Sequence, residues 1–205
     1  MKKRRLFASR ASRVLLLAGI LVLGTAVGMC AWFLRPRTFL PDSRLDEKTY
    51  VAPSRIPGAG NGLFAARPIA KGEVIAEMGG ELVFEDKIPR ERRGYLFAAP
   101  SCALRDLWPY TALDGRRVGG RASRINFAPS RINGIPTNLQ NARGRYMCQR
   151  PYVYFEAVRD ISKDEEILTS YGAIYDYDFM SLPQVQVYFC QVSGIDCSTG
   201  FQWEP

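Results

Sequence analysis

Short apolar runs separated by glycine and proline are the feature that most restricts how this chain can fold from residue 50 onward. The segment RIPGAGNGLFAARPI (55–69) carries three glycines within five residues between two apolar runs, a pattern that predicts strand, turn and strand. Gly79 and Gly80 divide another apolar run, and YVYFEAV (152–158) is the strongest strand pattern of the chain. Because helical periodicity is scarce, the sequence predicts a mostly β (α+β) domain of short strands with irregular connections.

Two local predictions concern turns. The segment ALDGRRV (112–118) is typical of a hairpin whose turn is Asp114-Gly115. The acidic residues near the C-terminal end of the domain are predicted to lie at the surface, in turns and at strand ends, without a catalytic role. These residues are Asp160, Glu165 and Glu166.

The absence of histidine limits the chemistry that this chain can perform. No histidine occurs among the 205 residues, which excludes Ser-His-Asp catalysis, Cys-His catalysis and histidine-bound zinc. The five cysteines contain no CxxC pair, so no metal site is predicted. Free or buried thiols are the favoured state of Cys190 and Cys197, and a disulfide between them is the alternative in an oxidising compartment. Any reaction therefore has to use tyrosine, carboxylates, backbone groups and a cofactor.

Positive charge is concentrated at the N-terminus. The eight Lys and Arg residues that precede the first acid, Asp42, equal the whole net charge of +8, so the chain from Asp42 onward is formally neutral. A nucleic-acid-binding domain would need a basic face of its own. Direct nucleic-acid binding is therefore not expected, and the N-terminal basic residues indicate targeting instead.

Residues 14–34 form an uncharged apolar run of 21 residues. As a helix this run would span roughly 30 Å, the thickness of a bilayer's hydrocarbon core. We therefore predict a single-pass transmembrane helix and a membrane location, with the basic flank 1–13 in the cytosol by the positive-inside rule. The polar, proline-containing segment 35–49 is predicted to be a tether. A cleaved signal peptide and an organelle presequence are the alternatives for the apolar run.

The order of five motifs in this chain resembles that of the SET domain family, the S-adenosylmethionine-dependent protein lysine methyltransferases. The motifs are RIPGAGNGLFAARPIAKGEVIAEMGGELV (55–83), YLF (95–97), LDGRRVGGRASRIN (113–126), PTNL (136–139) and FEAVRDISKDEEILTSYG (155–172). The resemblance implies a SET-type β-clip fold of short strands, with a knot-like C-terminal arrangement, over residues 50–172. It also implies that the aromatic segment 173–205 is similar to the family's post-SET region, here without the three-cysteine zinc signature. Its aromatic side chains are expected either to line the active site or to pack in the core.

Glycines at positions 58, 60 and 62 allow a left-handed backbone and a close approach of a ligand to the main chain, which suits a compact zwitterion. The resemblance implies that this ligand is S-adenosylmethionine. The implied cofactor-binding residues are Gly60, Asn61, Gly62, Arg124, Asn126, Phe127 and Tyr171. An ordinary hairpin turn and a purely structural hydrogen bond of Asn126 are the alternatives.

Tyr171 is the implied catalytic residue, because the family's equivalent tyrosine lies beside the channel that admits the target lysine. Methyl transfer is an in-line displacement that needs a neutral amine, alignment and exclusion of water, and a tyrosine hydroxyl can orient the amine. The resemblance implies that Tyr95 and Phe97 line the same channel. A buried structural tyrosine is the alternative at Tyr171.

These features predict a protein lysine N-methyltransferase whose partners are a histone or non-histone protein with a target lysine and, through residues 14–34, a membrane. The sequence departs from the family pattern at several positions, including Asp164-Glu165 in place of the family's Gly-Glu and a longer segment over 130–135. Phe127-Ala128-Pro129 stands where the family has His-Ser-Cys, and Ser170 stands where the family has Asp. The alternative function is therefore a catalytically inactive SET-like binding module anchored at a membrane.

Overall fold

The computed structural model describes residues 17–31, 38–84, 88–98, 112–146, 153–172 and 175–205. The chain divides into two compact units, Met1–Pro36 and Arg37–Pro205. The domain with the short strands is the second of these units.

The described part of the first unit is one helix, α1, over residues 17–31. Within the described ranges, no helix is both long enough and apolar enough to cross a membrane. The predicted transmembrane helix over 14–34 is therefore not supported. Residues 14–16 and 32–34 of that prediction lie outside the described ranges.

The second unit is built from short strands, which confirms the prediction of a mostly β domain. The described strands are β1 (Thr38–Phe39), β2 (Thr49–Pro53), β3 (Asn61–Ala65), β4 (Val74–Met78), β5 (Gly80–Val83), β6 (Leu96–Ala98), β7 (Ala112–Asp114), β8 (Asn126–Phe127), β9 (Arg131–Ile132), β10 (Ile135–Pro136), β11 (Ala142–Tyr146), β12 (Val153–Ala157), β13 (Leu168–Thr169) and β14 (Trp203–Glu204). Its described helices are α2 (Pro183–Ser193) and the 3₁₀ helices Ser43–Lys48, Arg90–Tyr95, Arg121–Arg124 and Asp178–Ser181.

Most of the strands pair in small antiparallel sheets. Two of these sheets have the strand orders β11-β12-β4 and β1-β5-β7-β6, a third has the order β10-β9-β14, and β2 pairs with β3 across the glycine-rich turn. The pair β8 and β13 is parallel. This parallel pair joins two segments that lie about 40 residues apart in the chain, so it depends on the tertiary fold rather than on a local turn.

The predicted hairpin over 112–118 is wrong. Strand β7 ends at Asp114 and has β5 on one edge and β6 on the other. Residues 116–118 form a turn in which the amide of Arg116 donates to Asp114 Oδ1 at 2.9 Å. Because both edges of β7 are already paired, the residues that follow Gly115 cannot add a further strand to it.

Residues 38–49, the described part of the predicted tether, fold onto the domain. Strand β1 pairs with β5, and the side chain of Asp42 caps the 3₁₀ helix Ser43–Lys48. The guanidinium of Arg121 donates to the main-chain oxygen of Asp46 at 2.7 Å. The prediction of an extended tether therefore differs from the structure, because strand pairing and capping satisfy backbone groups that a tether would leave to water.

Buried side chains form two clusters. The first lies among β3, β4, β7, β11 and β12 and includes Ile125. The second joins the C-terminal segment to Phe127 and Ala128, and its other buried members are Ile56, Ile132, Leu168, Met180, Val185 and Phe189. The stretch 125–128 therefore contributes to both clusters, and its position is fixed from two sides.

The C-terminal segment covers the second cluster without a metal-binding motif. Helix α2 has Pro183 in its first turn and ends at Gly194, whose φ of 68° is left-handed. Cys190 and Cys197 form a disulfide, so the expectation of thiols is wrong for this pair. Strand β14 then pairs with β9. The C-terminal segment is therefore held by side-chain packing and, within the segment, by the disulfide between Cys190 and Cys197.

Candidate active site

The parallel pair of β8 and β13 brings together the two segments that the sequence analysis singled out. Leu168 lies opposite Asn126, and Thr169 lies opposite Phe127. The amide of Ala128 extends this pairing by donating to Thr169 O at 3.1 Å. Tyr171 follows β13 directly, and it is therefore held beside the main chain of the stretch 125–128.

A cavity of about 1040 Å³ opens next to this pair of strands. Tyr95, Phe97 and Tyr171 all line it, so the structure brings the predicted channel residues and the predicted catalytic residue together. Further lining comes from aromatic residues of the C-terminal segment, namely Tyr175, Tyr177 and Phe179. An aromatic cavity of this size accommodates an apolar chain with a positively charged or amine end.

The hydroxyl of Tyr171 is the best-defined polar group of the cavity. It donates to the main-chain oxygen of Ile125 at 2.9 Å. Burial, reinforced by the neighbouring Tyr175 and Tyr177, raises the pKa of Tyr171 well above its usual range. The phenol therefore stays protonated at neutral pH, and its oxygen keeps the capacity to accept a hydrogen bond from an amine.

Two further tyrosines surround Tyr171 and share its environment. The ring of Tyr175 lies 4.6 Å from that of Tyr171, centroid to centroid, and the hydroxyl of Tyr177 donates to Gly172 O at 2.8 Å. Burial raises the pKa of Tyr175 and raises that of Tyr177 to about 12. This end of the cavity thus holds neutral hydroxyl groups, and Asp176 and Asp178 line it as well.

Phe127, at the position of the family's histidine, packs in the core. Its side chain is 2% exposed and does not line the cavity. Its ring contacts four other rings, with centroid distances of 5.7, 4.7, 5.8 and 5.6 Å to Tyr171, Tyr177, Phe179 and Trp203. The side chain therefore supports the cavity wall from behind.

The glycine-rich turn lies away from the cavity lining. Gly58 and Gly60 have φ values of 80° and 73°, in the left-handed region, and a Cβ at either position would meet nothing within 4 Å. The amide of Ser54 donates to Gly60 O at 2.8 Å and closes the turn. Gly60, Asn61 and Gly62 are not among the residues that line the cavity. The turn therefore presents bare, exposed backbone on a side of its own.

Asn126 connects this turn to the strand β8. Its Nδ2 donates to Asn61 O at 3.3 Å and to Glu166 Oε1 at 3.1 Å. Gly62 lies against the same group, because a Cβ at Gly62 would collide with Glu166 Oε1. The structure thus brings Asn61, Gly62 and Asn126 together around Glu166. Arg124, which precedes β8 in the chain, is half-buried and forms no ion pair with an acid of the described ranges.

Glu166 is the residue that the sequence analysis placed wrongly. It was predicted at the surface, but it is 4% exposed and forms a bridge with Phe64 that directs it inward. Asp160 is exposed as predicted, and Glu165 is half-buried and paired with Arg159. The local sequence does not indicate that Glu166 is more buried than Asp160 and Glu165, because the space that Glu166 occupies is created by the missing side chain of Gly62.

Comparisons with known proteins agree with this fold and these motifs. A family model described as the SET domain matches residues 60–172, which is more than half of the chain. Histone-lysine N-methyltransferase mes-2 of Caenorhabditis elegans is 33% identical over 140 residues, which are 68% of this chain and 17% of that protein. This chain therefore spans only a small part of the curated relative that it matches.

Two solved structures of polycomb assemblies are also similar. A humanized mutant of the Chaetomium thermophilum Polycomb Repressive Complex 2, bound to the inhibitor GSK126, is 29% identical with a TM-score of 0.48, over 60% of this chain and 15% of that one. An active polycomb repressive complex 2 in the basal state is 28% identical with a TM-score of 0.49, over 61% of this chain and 15% of that one. The family assignment depends on the family model, which covers more than half of the chain, rather than on the match to mes-2 or on these structures. This chain belongs to the SET domain family.

Proposed function

We propose that this chain is a protein lysine N-methyltransferase that transfers a methyl group from S-adenosylmethionine to a lysine side chain of a histone or another protein. The observation that carries the proposal is the hydroxyl of Tyr171, which donates to Ile125 O at 2.9 Å within an aromatic cavity. The next residue, Asn126, bonds to the glycine-rich turn instead. One short strand therefore separates a site suited to an amine from a site suited to a zwitterion.

The cavity supplies what a methyl acceptor requires. The lysine amine has to be neutral, aligned and shielded from water, and aromatic faces stabilise positive charge near the transferred methyl group. Because burial keeps Tyr171 protonated, its oxygen acts as an orienting group rather than as a base. Tyr95 and Phe97 line the same cavity, and their rings are suited to contact the aliphatic part of a lysine side chain.

The residues of the turn fit S-adenosylmethionine, which when bound supplies an activated methyl group on a sulfonium. The exposed glycines 58 and 60 leave open space beside bare backbone. Asn126 Oδ1 accepts no bond from a described residue and is available to an ammonium group. The guanidinium of Arg124, without an ion pair in the described ranges, suits a carboxylate.

A catalytically inactive SET-like binding module is the second candidate. Both N–H groups of the Asn126 amide already bond within the chain, and the hydroxyl proton of Tyr171 is engaged by Ile125 O. These internal bonds are what a structural role for both residues requires. The two candidates therefore differ in whether the chain binds the cofactor and whether it transfers the methyl group.

Calorimetric titration of the full chain with S-adenosylmethionine separates the candidates. We expect binding heat for the wild type, with a dissociation constant raised about tenfold in Asn126→Ala, because a polar contact to a charged ligand is lost. Methyl transfer is then measured by mass spectrometry on lysine peptides from histone and non-histone proteins. A wild type without binding heat would overturn the enzyme proposal. Binding without transfer to any of these peptides would favour the binding module.

A further inference from the structure

We propose that Glu166 is a positioning residue that holds the glycine-rich turn and Asn126 in the arrangement that binds the cofactor. The inference rests on the proposed function, because it concerns the same cofactor site. Glu166 is buried and does not line the cavity, so it cannot contact the lysine substrate. Its contacts lie on the side of the turn.

Among the described residues, three groups donate to the Glu166 carboxylate, two from the start of the glycine-rich turn and one from Asn126. Oε1 accepts from Ser54 Oγ at 2.6 Å and from Asn126 Nδ2 at 3.1 Å. Oε2 accepts from the amide of Arg55 at 2.9 Å. One carboxylate therefore joins the start of the turn to the strand that carries Asn126.

Gly62, at the other end of the turn, completes this arrangement. A Cβ there would collide with Glu166 Oε1 and would come within 3.2 Å of Asn126 Nδ2. Gly62 is not among the glycines with positive φ, unlike Gly58 and Gly60. Close approach of the carboxylate, rather than backbone conformation, is therefore the reason for glycine at position 62.

The carboxylate of Glu166 depends wholly on neutral donors. No Lys or Arg of the described ranges forms an ion pair with it, whereas the neighbouring Glu165 pairs with Arg159 at 2.6 Å. A buried charge without a cation is costly unless hydrogen bonds satisfy it. Loss of one donor or of the charge itself therefore weakens the remaining bonds, which couples the turn to Asn126.

The substitution Glu166→Gln in the full chain tests this role, because the new amide group faces a donor whichever way it is turned. Without cofactor, we expect hydrogen exchange at the amides of residues 55–62 to become roughly tenfold faster, since a hydrogen bond to a charged group is lost. The dissociation constant for S-adenosylmethionine, measured by calorimetry, rises about tenfold. The KM for S-adenosylmethionine rises with it, while kcat at saturation changes by less than about threefold.

Glu165→Gln is the matched control. Glu165 is adjacent and half-buried, and its carboxylate also accepts from three groups, one of them the Arg159 guanidinium, but it bonds neither to the turn nor to Asn126. We expect this variant to be less stable than the wild type. Hydrogen exchange at the amides of the turn and the dissociation constant for S-adenosylmethionine should stay within about twofold of the wild-type values. Ser54→Ala is a milder variant that removes one donor and leaves the carboxylate in place. We expect it to change both readouts in the same direction as Glu166→Gln, to a smaller extent.

Unchanged turn exchange in Glu166→Gln would overturn the inference, and so would equal changes in the Glu165 and Glu166 variants, because these would reflect general destabilisation. A wild type that binds no S-adenosylmethionine would overturn the proposed function. The exchange experiment contains no cofactor, so in that case it still decides by itself whether Glu166 positions the turn.

Discussion

The two sides of strand β8 differ in their chemistry. The cavity side, defined by Ile125, Tyr171, Tyr175 and Tyr177, consists of aromatic rings and neutral hydroxyl groups. The turn side, defined by residues 54–62 with Asn126 and Glu166, consists of bare backbone, an amide and a buried carboxylate. Ile125, just before β8, therefore faces the cavity side, whereas its neighbour Asn126 in β8 faces the turn side.

Under the proposed function, this difference means that the substrate and the cofactor do not compete for the same groups. Ile125 offers its main-chain oxygen to the cavity side, and Asn126 offers its side chain to the turn side. Substitutions on the two sides are then expected to act independently, since they share no side-chain partner. A substitution that changes one side is therefore expected to leave the other side unchanged. Any effect across β8 measures how strongly the two sides are coupled.

Phe127→Ala has the largest expected effect, because it removes the support of the cavity side. The lost ring contacts Tyr171, Tyr177 and Trp203, and truncation of a fully buried Phe costs about 3–5 kcal/mol of unfolding free energy. Urea unfolding of the full chain measures this loss. Phe127→Leu is the control, with an expected loss of about half that size. A loss below about 1 kcal/mol for Ala would mean that the ring is not close-packed.

Tyr171→Phe separates the two sides by function. Removal of the hydroxyl that bonds Ile125 O leaves the substrate amine without its orienting group, so kcat for methyl transfer falls about 100-fold. The affinity for S-adenosylmethionine, measured by calorimetry, stays within about twofold because the turn side is untouched. Tyr175→Phe, whose hydroxyl does not bond Ile125, serves as the control. An equal loss of cofactor affinity and of kcat would contradict the separation.

Gly62→Ala disturbs the turn side alone. The added methyl group collides with Glu166 Oε1, and overpacking of this kind costs about 1–3 kcal/mol. Gly60→Ala is the comparison, since its Cβ meets open space and its cost is about 1–2 kcal/mol from the left-handed backbone alone. Only Gly62→Ala is expected to speed hydrogen exchange at Asn126. Near-ultraviolet circular dichroism of the tyrosines should stay unchanged in both variants.

The antiparallel strands and the glycine-rich turn could be predicted from the sequence because their signals are local. Glycines at fixed positions mark the turn between β2 and β3, and the apolar run of β12 is long for this chain. The parallel pair β8–β13 has no local signal, since its register depends on contacts between distant segments. Only the family resemblance placed Asn126 near Tyr171. Sequence patterns thus predicted short strands and the glycine-rich turn, and the resemblance predicted the juxtaposition of Asn126 and Tyr171.

Two misses have a physical reason. Helix α2 was not predicted because Gln184-Val185-Gln186-Val187 alternates polar and apolar residues as a strand does, although Pro183 and Gly194 mark its two ends. Glu166 was placed at the surface because it ends the polar segment 163–166, which was interpreted as a turn. Its burial is decided across the fold by the missing Cβ of Gly62. Long-range sterics of this kind cannot be read from composition or spacing.

Alkaline pH gives the smallest expected effect. Burial raises the pKa values of Tyr171, Tyr175 and Tyr177 on the cavity side, and it also raises that of Tyr188, which does not line the cavity. Burial raises the pKa of Tyr177 to about 12, so from about pH 10 upward the unfolded chain ionises this residue while the folded chain keeps it neutral. The contribution of Tyr177 to the free energy of unfolding is therefore fully present below about pH 10 and is lost as the pH rises to about 12. Urea unfolding across this range measures the loss.

Tyr177→Phe tests the assignment of that loss. The variant gives up the bond to Gly172 O at 2.8 Å and is about 1 kcal/mol less stable at neutral pH. Its alkaline decline is shallower than that of the wild type but still present, because burial also raises the pKa values of Tyr171 and Tyr175. Ser54→Ala, on the turn side, keeps the full decline. If Tyr177→Phe and Ser54→Ala lost the same unfolding free energy at alkaline pH, that loss would not arise on the cavity side. The chemical difference between the two sides of β8 would then be unsupported.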